Sequence, residues 1–166
     1  MKKGWLLVGV LAVLTLWKLL PFQGSDVARL MPIRALTVDR KGGQIFLDGG
    51  VCSGKGGTLE EALADMKNGA AGTVFLATTE EVIVSAGAVS LLPELCLWDA
   101  LRPATRVAAA LGDLPDPEQA ADYLEAHDPG VSLGQIHGAL LRGESVRLPQ
   151  LLQEEGGLHL VWKNHR

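Results

Sequence analysis

Apolar positions are distributed unevenly along the chain: one long block opens it, and short alternating segments follow. Gly4 to Phe22, GWLLVGVLAVLTLWKLLPF, carries a single charge in nineteen residues. At about 1.5 Å of rise per residue such a helix spans roughly 28 Å, the hydrocarbon thickness of a bilayer. Trp5 and Trp17 fall near its two ends, where amphipathic rings favour the interface. Lys18 lies late enough for its stem to lift the ammonium to the headgroups. Lys2 and Lys3 precede the block, and the first acidic residue is Asp26. This charge order predicts a membrane-spanning helix with its N-terminus in the cytoplasm. No Ala-x-Ala-like site follows the block and no cysteine occurs before Cys52, which favours an uncleaved peptide anchor over a signal peptide or a lipoprotein. Residues 1–24 are therefore read as the anchor and 25–166 as one extracytoplasmic domain.

Beyond the anchor the period changes every few residues. Gln23 to Pro32 reads as a link with a short helical piece, DVARLM. Ile33–Asp39 and Gln44–Asp48 alternate as two strands of a hairpin around Arg40-Lys41-Gly42-Gly43. Gly49 to Gly57, GGVCSGKGG, reads as a loop. It opens onto a helix whose Thr58 and Glu61 form a capping box and whose Leu59, Ala62, Leu63 and Met66 make one apolar stripe. Thr73–Ala77 and Glu81–Ser85 read as short buried strands. Leu91, Leu92, Leu95, Trp98 and Leu101 give a helical face that stops before Pro103. An alanine-rich strand spans Thr105 to Leu111. Asp116-Pro117 opens a helix to about His127, and Ser132 to Gln135 is a second capping box, with Leu133, Ile136 and Leu140 facing inward. Val146–Leu152 and Leu158–Trp162 close the chain as a hairpin. Strands and helices are interspersed without a regular βαβ repeat, which predicts a single mixed-sheet α/β (α+β) domain with flanking helices.

Composition narrows the function classes. The chain carries −4 overall, and because the three lysines of residues 1–24 face no acid there, the body holds 12 basic against 19 acidic groups, or −7. A surface of that sign does not neutralise phosphates, so nucleic acid is not an expected partner. Two cysteines 44 positions apart make neither a metal site nor the disulfide framework of a small secreted domain; they are read as separate half-buried thiols.

No motif commits the chain to catalysis. Ser53 to Glu61, SGKGGTLEE, begins like a phosphate-binding loop, but Leu59, Glu60 and Glu61 stand where a lysine and a hydroxyl would be needed. Two carboxylates at a helix mouth repel a phosphate. His127, His137, His159 and His165 lack metal-ligand spacing, and no serine sits on a glycine-flanked elbow. The acidic pairs Glu60-Glu61, Glu80-Glu81 and Glu154-Glu155 read as solvated surface. No catalytic residue, metal or cofactor is assigned.

The order of features from Leu36 onward resembles the N-terminal domain of the Ger(x)C family, the C subunits of spore-germination nutrient receptors. Ala35-Leu36-Thr37-Val38-Asp39 resembles that family's first strand ending in Asp, and Gly57 to Leu63, GTLEEAL, resembles its helix opening. Val74-Phe75-Leu76 followed by Val82-Ile83-Val84 is similar to its pair of strands. Leu148-Pro149 is similar to its late proline-containing strand. The similarity covers about 120 residues. The lipid-anchoring cysteine of that family is absent, and Ala77-Thr78-Thr79 replaces its usual Gly-His or Ser-His. The resemblance implies a stand-alone first domain on a peptide anchor, with a role in spore germination or spore-envelope assembly through a membrane or envelope protein partner. The expected contact residues are Ser53 and Lys55 in the glycine loop, and Thr78, Thr79 and Glu80 in the strand connection. The rival expectation is a small-ligand-binding or hydrolytic domain built on loop 49–57.

Overall fold

The computed structural model of the chain describes residues 29–127, 130–155 and 157–161. The apolar block at 4–22, residues 23–28 of the link and Trp162 lie outside them, and no helix among the described residues is long and apolar enough to cross a membrane. In chain order the elements are β1 (Leu30–Pro32), β2 (Ala35–Lys41), β3 (Gln44–Asp48), β4 (Ser53–Gly56), α1 (Leu59–Gly69), β5 (Thr73–Phe75), β6 (Glu81–Val84) and α2 (Leu92–Leu97). They continue with β7 (Arg106–Leu111), α3 (Pro117–His127), α4 (Leu133–Leu141), β8 (Gln150–Glu154) and β9 (Gly157–Val161).

Seven strands form one mixed sheet in the order β4-β3-β2-β6-β7-β8-β9, and β1 pairs with β5 in a small parallel ribbon. The four central strands β2, β6, β7 and β8 run parallel; β3 and then β4 extend the β2 side and β9 the β8 side, each antiparallel to its neighbour. The β2–β3 turn is the two-residue Gly42-Gly43, both at positive φ (59° and 82°), as a type I′ hairpin requires.

Alternation along the strands then decides the layers. Leu36, Val38, Val82, Val84 and Val107 point to one face, where they pack with Leu59 and Met66 of α1, Leu95 of α2, and Leu133 and Ile136 of α4. Ala35, Ile83, Ala108 and Ala110 point to the other, where they meet Ala120, Ala121 and Leu124 of α3. Helix α3 lies over β2, β6 and β9, with Ala108 and Ala110 of β7 in the same apolar cluster. Arg34 adds an ionic strut, with Asp122 and Glu125 of α3 each 3.0 Å from its guanidinium.

Both predicted N-caps form: Thr58 Oγ1 accepts from the N–H of Glu61, and Ser132 with Gln135 makes a reciprocal capping box. The first box is not reciprocal, because the Glu61 carboxylate accepts from the Gly57 N–H instead of that of Thr58.

Four expectations are corrected. Leu30 and Met31 of the DVARLM piece lie in β1, because strand pairing with β5 outweighs a local preference too short to nucleate a helix. The glycine segment 49–57 is not wholly a loop: Ser53–Gly56 is the edge strand β4, paired to β3. The strand expected from Val146 starts at Gln150, after Pro149, which has no N–H to pair and accepts from Ala109 through its carbonyl. Leu140 is 41% exposed, and Ala139 takes the inward position on α4.

Candidate functional site

The five contact residues expected from the sequence fall in two regions. Ser53 and Lys55 line a cleft of about 400 Å³ on the β3–β4 wing, together with Phe46, Asp48 and Asp65. Thr79 and Glu80 line a second cleft, of about 300 Å³, at the N-terminal ends of β6 and β7, with Arg102, Thr105 and Arg106. Thr78 lies in the 3-10 turn that follows β5, and its hydroxyl donates to the Phe75 carbonyl at 3.1 Å. The two clefts share no lining residue.

The glycine wing owes its sequence to packing. A Cβ on Gly54 would stand 2.3 Å from both the Ala62 carbonyl oxygen and the Met66 nitrogen, and one on Gly56 would stand 2.5 Å from the Ala62 nitrogen. Helix α1 therefore lies directly on the backbone of β4, which only glycine at alternate positions permits. The Thr58 hydroxyl is engaged as a helix cap, and Lys55 offers its backbone N–H to Asp65 Oδ2 at 2.9 Å. The resemblance of SGKGG to a phosphate loop thus has a different cause: the glycines seat a helix.

In the second cleft both threonine hydroxyls are held by the fold. Thr79 is fully buried and donates to the Ile33 carbonyl at 2.9 Å, and Thr105 donates to the Thr79 carbonyl at 2.9 Å. These bonds tie the start of β2 to the starts of β6 and β7. Thr79 is a positioning residue for the strand ends, and Glu80 is the exposed member of the pair.

The reading of Glu80-Glu81 as solvated surface is corrected at Glu81, which is only 1% exposed. Its carboxylate meets the Arg106 guanidinium, the next strand's residue in the same register row, at 2.5 Å. Each strand begins with one member of this ion pair and continues as an apolar run, EVIV and RVAAAL. That matched offset was the available signal, because an acid at the head of a fully buried strand needs a cation at the same level of its neighbour.

A second ionic cluster sits at the opposite ends of the parallel strands. Asp39 is 9% exposed; it accepts from the Arg40 N–H at 2.9 Å and meets the Lys41 ammonium at 2.6 Å. Burial by itself raises the Asp39 carboxyl, but hydrogen bonds from Lys41, Ser85 and the Arg40 N–H outweigh it and hold the group below its ordinary value. Asp39, two residues before the end of β2, thereby fastens this strand to Ser85, the residue that follows β6.

Cys52 and Cys96 are separate free thiols of intermediate burial, as expected. Burial raises both, and the charge of Asp48 adds to the effect at Cys52, so neither is activated as a nucleophile. Among the described residues no group of three His, Cys, Asp or Glu side chains could hold a metal ion. Comparison of the chain with protein-family models, with curated proteins and with solved structures found no match.

Proposed function

We propose that the chain is a membrane-tethered extracytoplasmic domain that acts by protein–protein contact and not by catalysis, in spore germination or spore-envelope assembly. The observation that carries the tether is the block 4–22, long enough to span a bilayer and preceded by Lys2 and Lys3. The germination role rests on the Ger(x)C-like order of features alone. A non-catalytic role is supported by the engaged hydroxyls of Thr58, Thr79 and Thr105 and by the unactivated thiols.

Fractionation tests the tether. The full-length chain produced in a Gram-positive host should stay with membranes through a carbonate wash, and protease added to intact protoplasts should digest the body. Release by carbonate, or protection of the Trp98 region from protease, would overturn it. Affinity capture from detergent-solubilised membranes of sporulating cells should then recover an envelope or membrane protein. The ligand-binding reading is favoured by one observation, the cleft that brings Ser53 and Lys55 beside Asp48 and Asp65. Loss of partner capture on Ser53→Ala/Lys55→Ala, with no small molecule retained by the parent protein, would decide for contact.

A further inference from the structure

The short β1–β5 ribbon has one covered face and one open face. Its register sets Leu30 beside Thr73, Met31 beside Val74 and Pro32 beside Phe75, and successive residues of a strand point to opposite sides. Val74 belongs to the core, so the Met31–Val74 row faces inward. Leu30, Thr73, Pro32 and Phe75 therefore share the opposite face. None of the four is charged; Leu30 is half-buried, Thr73 and Pro32 are exposed, and Phe75 is 40% exposed. The loop after β3 lies alongside. A Cβ on Gly49 would stand 2.9 Å from the side chain of Ile33, the residue after β1, and Val51 of the same loop is 59% exposed. Bare apolar side chains thus gather where the chain enters the body, just after the exposed Arg29.

Only six residues, 23–28, separate the apolar block from Arg29. Fully extended they reach about 22 Å, and the headgroup layer takes about 5 Å or more of that. The remainder is shorter than the width of a small domain, about 30 Å, so the side of the body that bears Arg29 has to face the bilayer. We infer that the open face of the β1–β5 ribbon, with Val51 beside it, rests in the bilayer interface. Leu30 and Phe75 enter the boundary of the acyl chains, and Arg29 stays among the headgroups. Because the body carries −7, attraction to anionic lipid does not hold this contact; burial of apolar surface does. Glu80, exposed and donating its N–H to the Arg34 carbonyl at 2.8 Å, limits how deeply this end can sink. A bilayer is favoured over a protein as the occupant because the short link brings this face to lipid in every copy. The inference rests on the tether reading and adds to it a fixed orientation of the body.

NMR of the full-length chain in phosphatidylcholine bilayer discs doped with a spin-labelled lipid tests it. A chain that elutes apart from the discs overturns the tether, and this orientation with it. In a chain that co-elutes, the amide signals of Leu30, Thr73 and Phe75 should lose at least half their intensity. Those of Lys41 and Gly112, at the far ends of β2 and β7, should keep theirs. Phe75→Asp should restore at least half of the lost intensity at Leu30 and Thr73, with the remaining signals reporting that the fold is kept. Lengthening the link by about ten Gly/Ser residues after Ser25 should leave the parent attenuation unchanged, since a face held only by its link would drift away from the lipid. Equal attenuation at both ends, no effect of Phe75→Asp, or loss of attenuation with the longer link would each overturn the contact. Capture of a membrane protein that depends on Phe75, without attenuation by the labelled lipid, would overturn it in favour of a protein occupant.

Discussion

On the face of the sheet covered by α1, α2 and α4, the central strands present Leu36, Val38, Val82, Val84 and Val107, all fully buried and all aliphatic. The same strands turn Ala35, Thr37, Asp39, Glu81, Ile83, Arg106, Ala108 and Ala110 toward the face that α3 covers. One face is filled by aliphatic bulk; the other sets small residues and charge around Ile83. The difference follows from what each face must accommodate. Three helices can spread over large aliphatic side chains, whereas a single helix of eleven residues leaves strand ends where ions can be paired. The aliphatic face has its own exception at the β4 wing, where the spacing of α1 falls to backbone contact over Gly54 and Gly56.

That exception gives the largest expected effect. In Gly54→Val the new Cβ would meet two backbone atoms at 2.3 Å, neither of which can rotate away. Helix α1 must lift from β4, and the loss should reach about 3 kcal/mol or more. Ala108→Val, on the α3 side, adds volume to the cluster that holds Ala120, Ala121 and Leu124 and should lose about 1–3 kcal/mol. Urea unfolding of the two variants measures the contrast. Equal losses would mean that α1 is as adjustable as α3, and the glycines would lose their explanation.

The contrast between faces also explains what was readable beforehand. Apolar stripes and caps were legible, because period and cap chemistry are local: Leu59, Ala62, Leu63 and Met66 are the buried residues of α1, and Thr58 and Ser132 cap as expected. The mixed sheet with flanking helices follows from that level. The role of Gly54 and Gly56 was not legible, since their constraint comes from a helix that is local in sequence but folds back on them. Glu81 was misjudged for a related reason. Its solvent-like neighbour Glu80 is exposed, and the partner that makes its burial tolerable lies 25 residues away. Of the five expected contact residues, Ser53, Lys55 and Glu80 are exposed, while Thr79 is buried structure.

The buried pair on the α3 face comes next in size. Glu81→Ala leaves the Arg106 guanidinium without this carboxylate. Because the Arg106 side chain is still 25% exposed and can reach for water, the loss should lie near the lower end for a broken buried pair, about 3 kcal/mol. A double-mutant cycle with Arg106→Ala isolates the coupling. Single losses that simply add would show that the two charges are solvated separately and that this face does not depend on the pair.

Asp39 should give the smallest effect, one that pH can isolate. Its folded-state pKa is held below the unfolded value, because the hydrogen bonds from Lys41, Ser85 and the Arg40 N–H outweigh the opposing effect of burial. A depressed carboxyl contributes its stability in full above the unfolded pKa, about 3.9, and loses it as pH falls through the folded value. Asp39→Asn should therefore lower stability at neutral pH by about 1–2 kcal/mol. The gap between parent and variant should then narrow as the pH drops below about 4, where the parent's carboxyl also becomes neutral. Chemical unfolding at a series of pH values reads this directly. A gap that stays constant into acid would mean that the asparagine loses packing and not charge, so the ionic character of the α3 face would rest on Glu81 and Arg106 alone. Leu36→Ala on the opposite face has no ionisable group to lose, and its deficit of about 2–5 kcal/mol should not change over the same range.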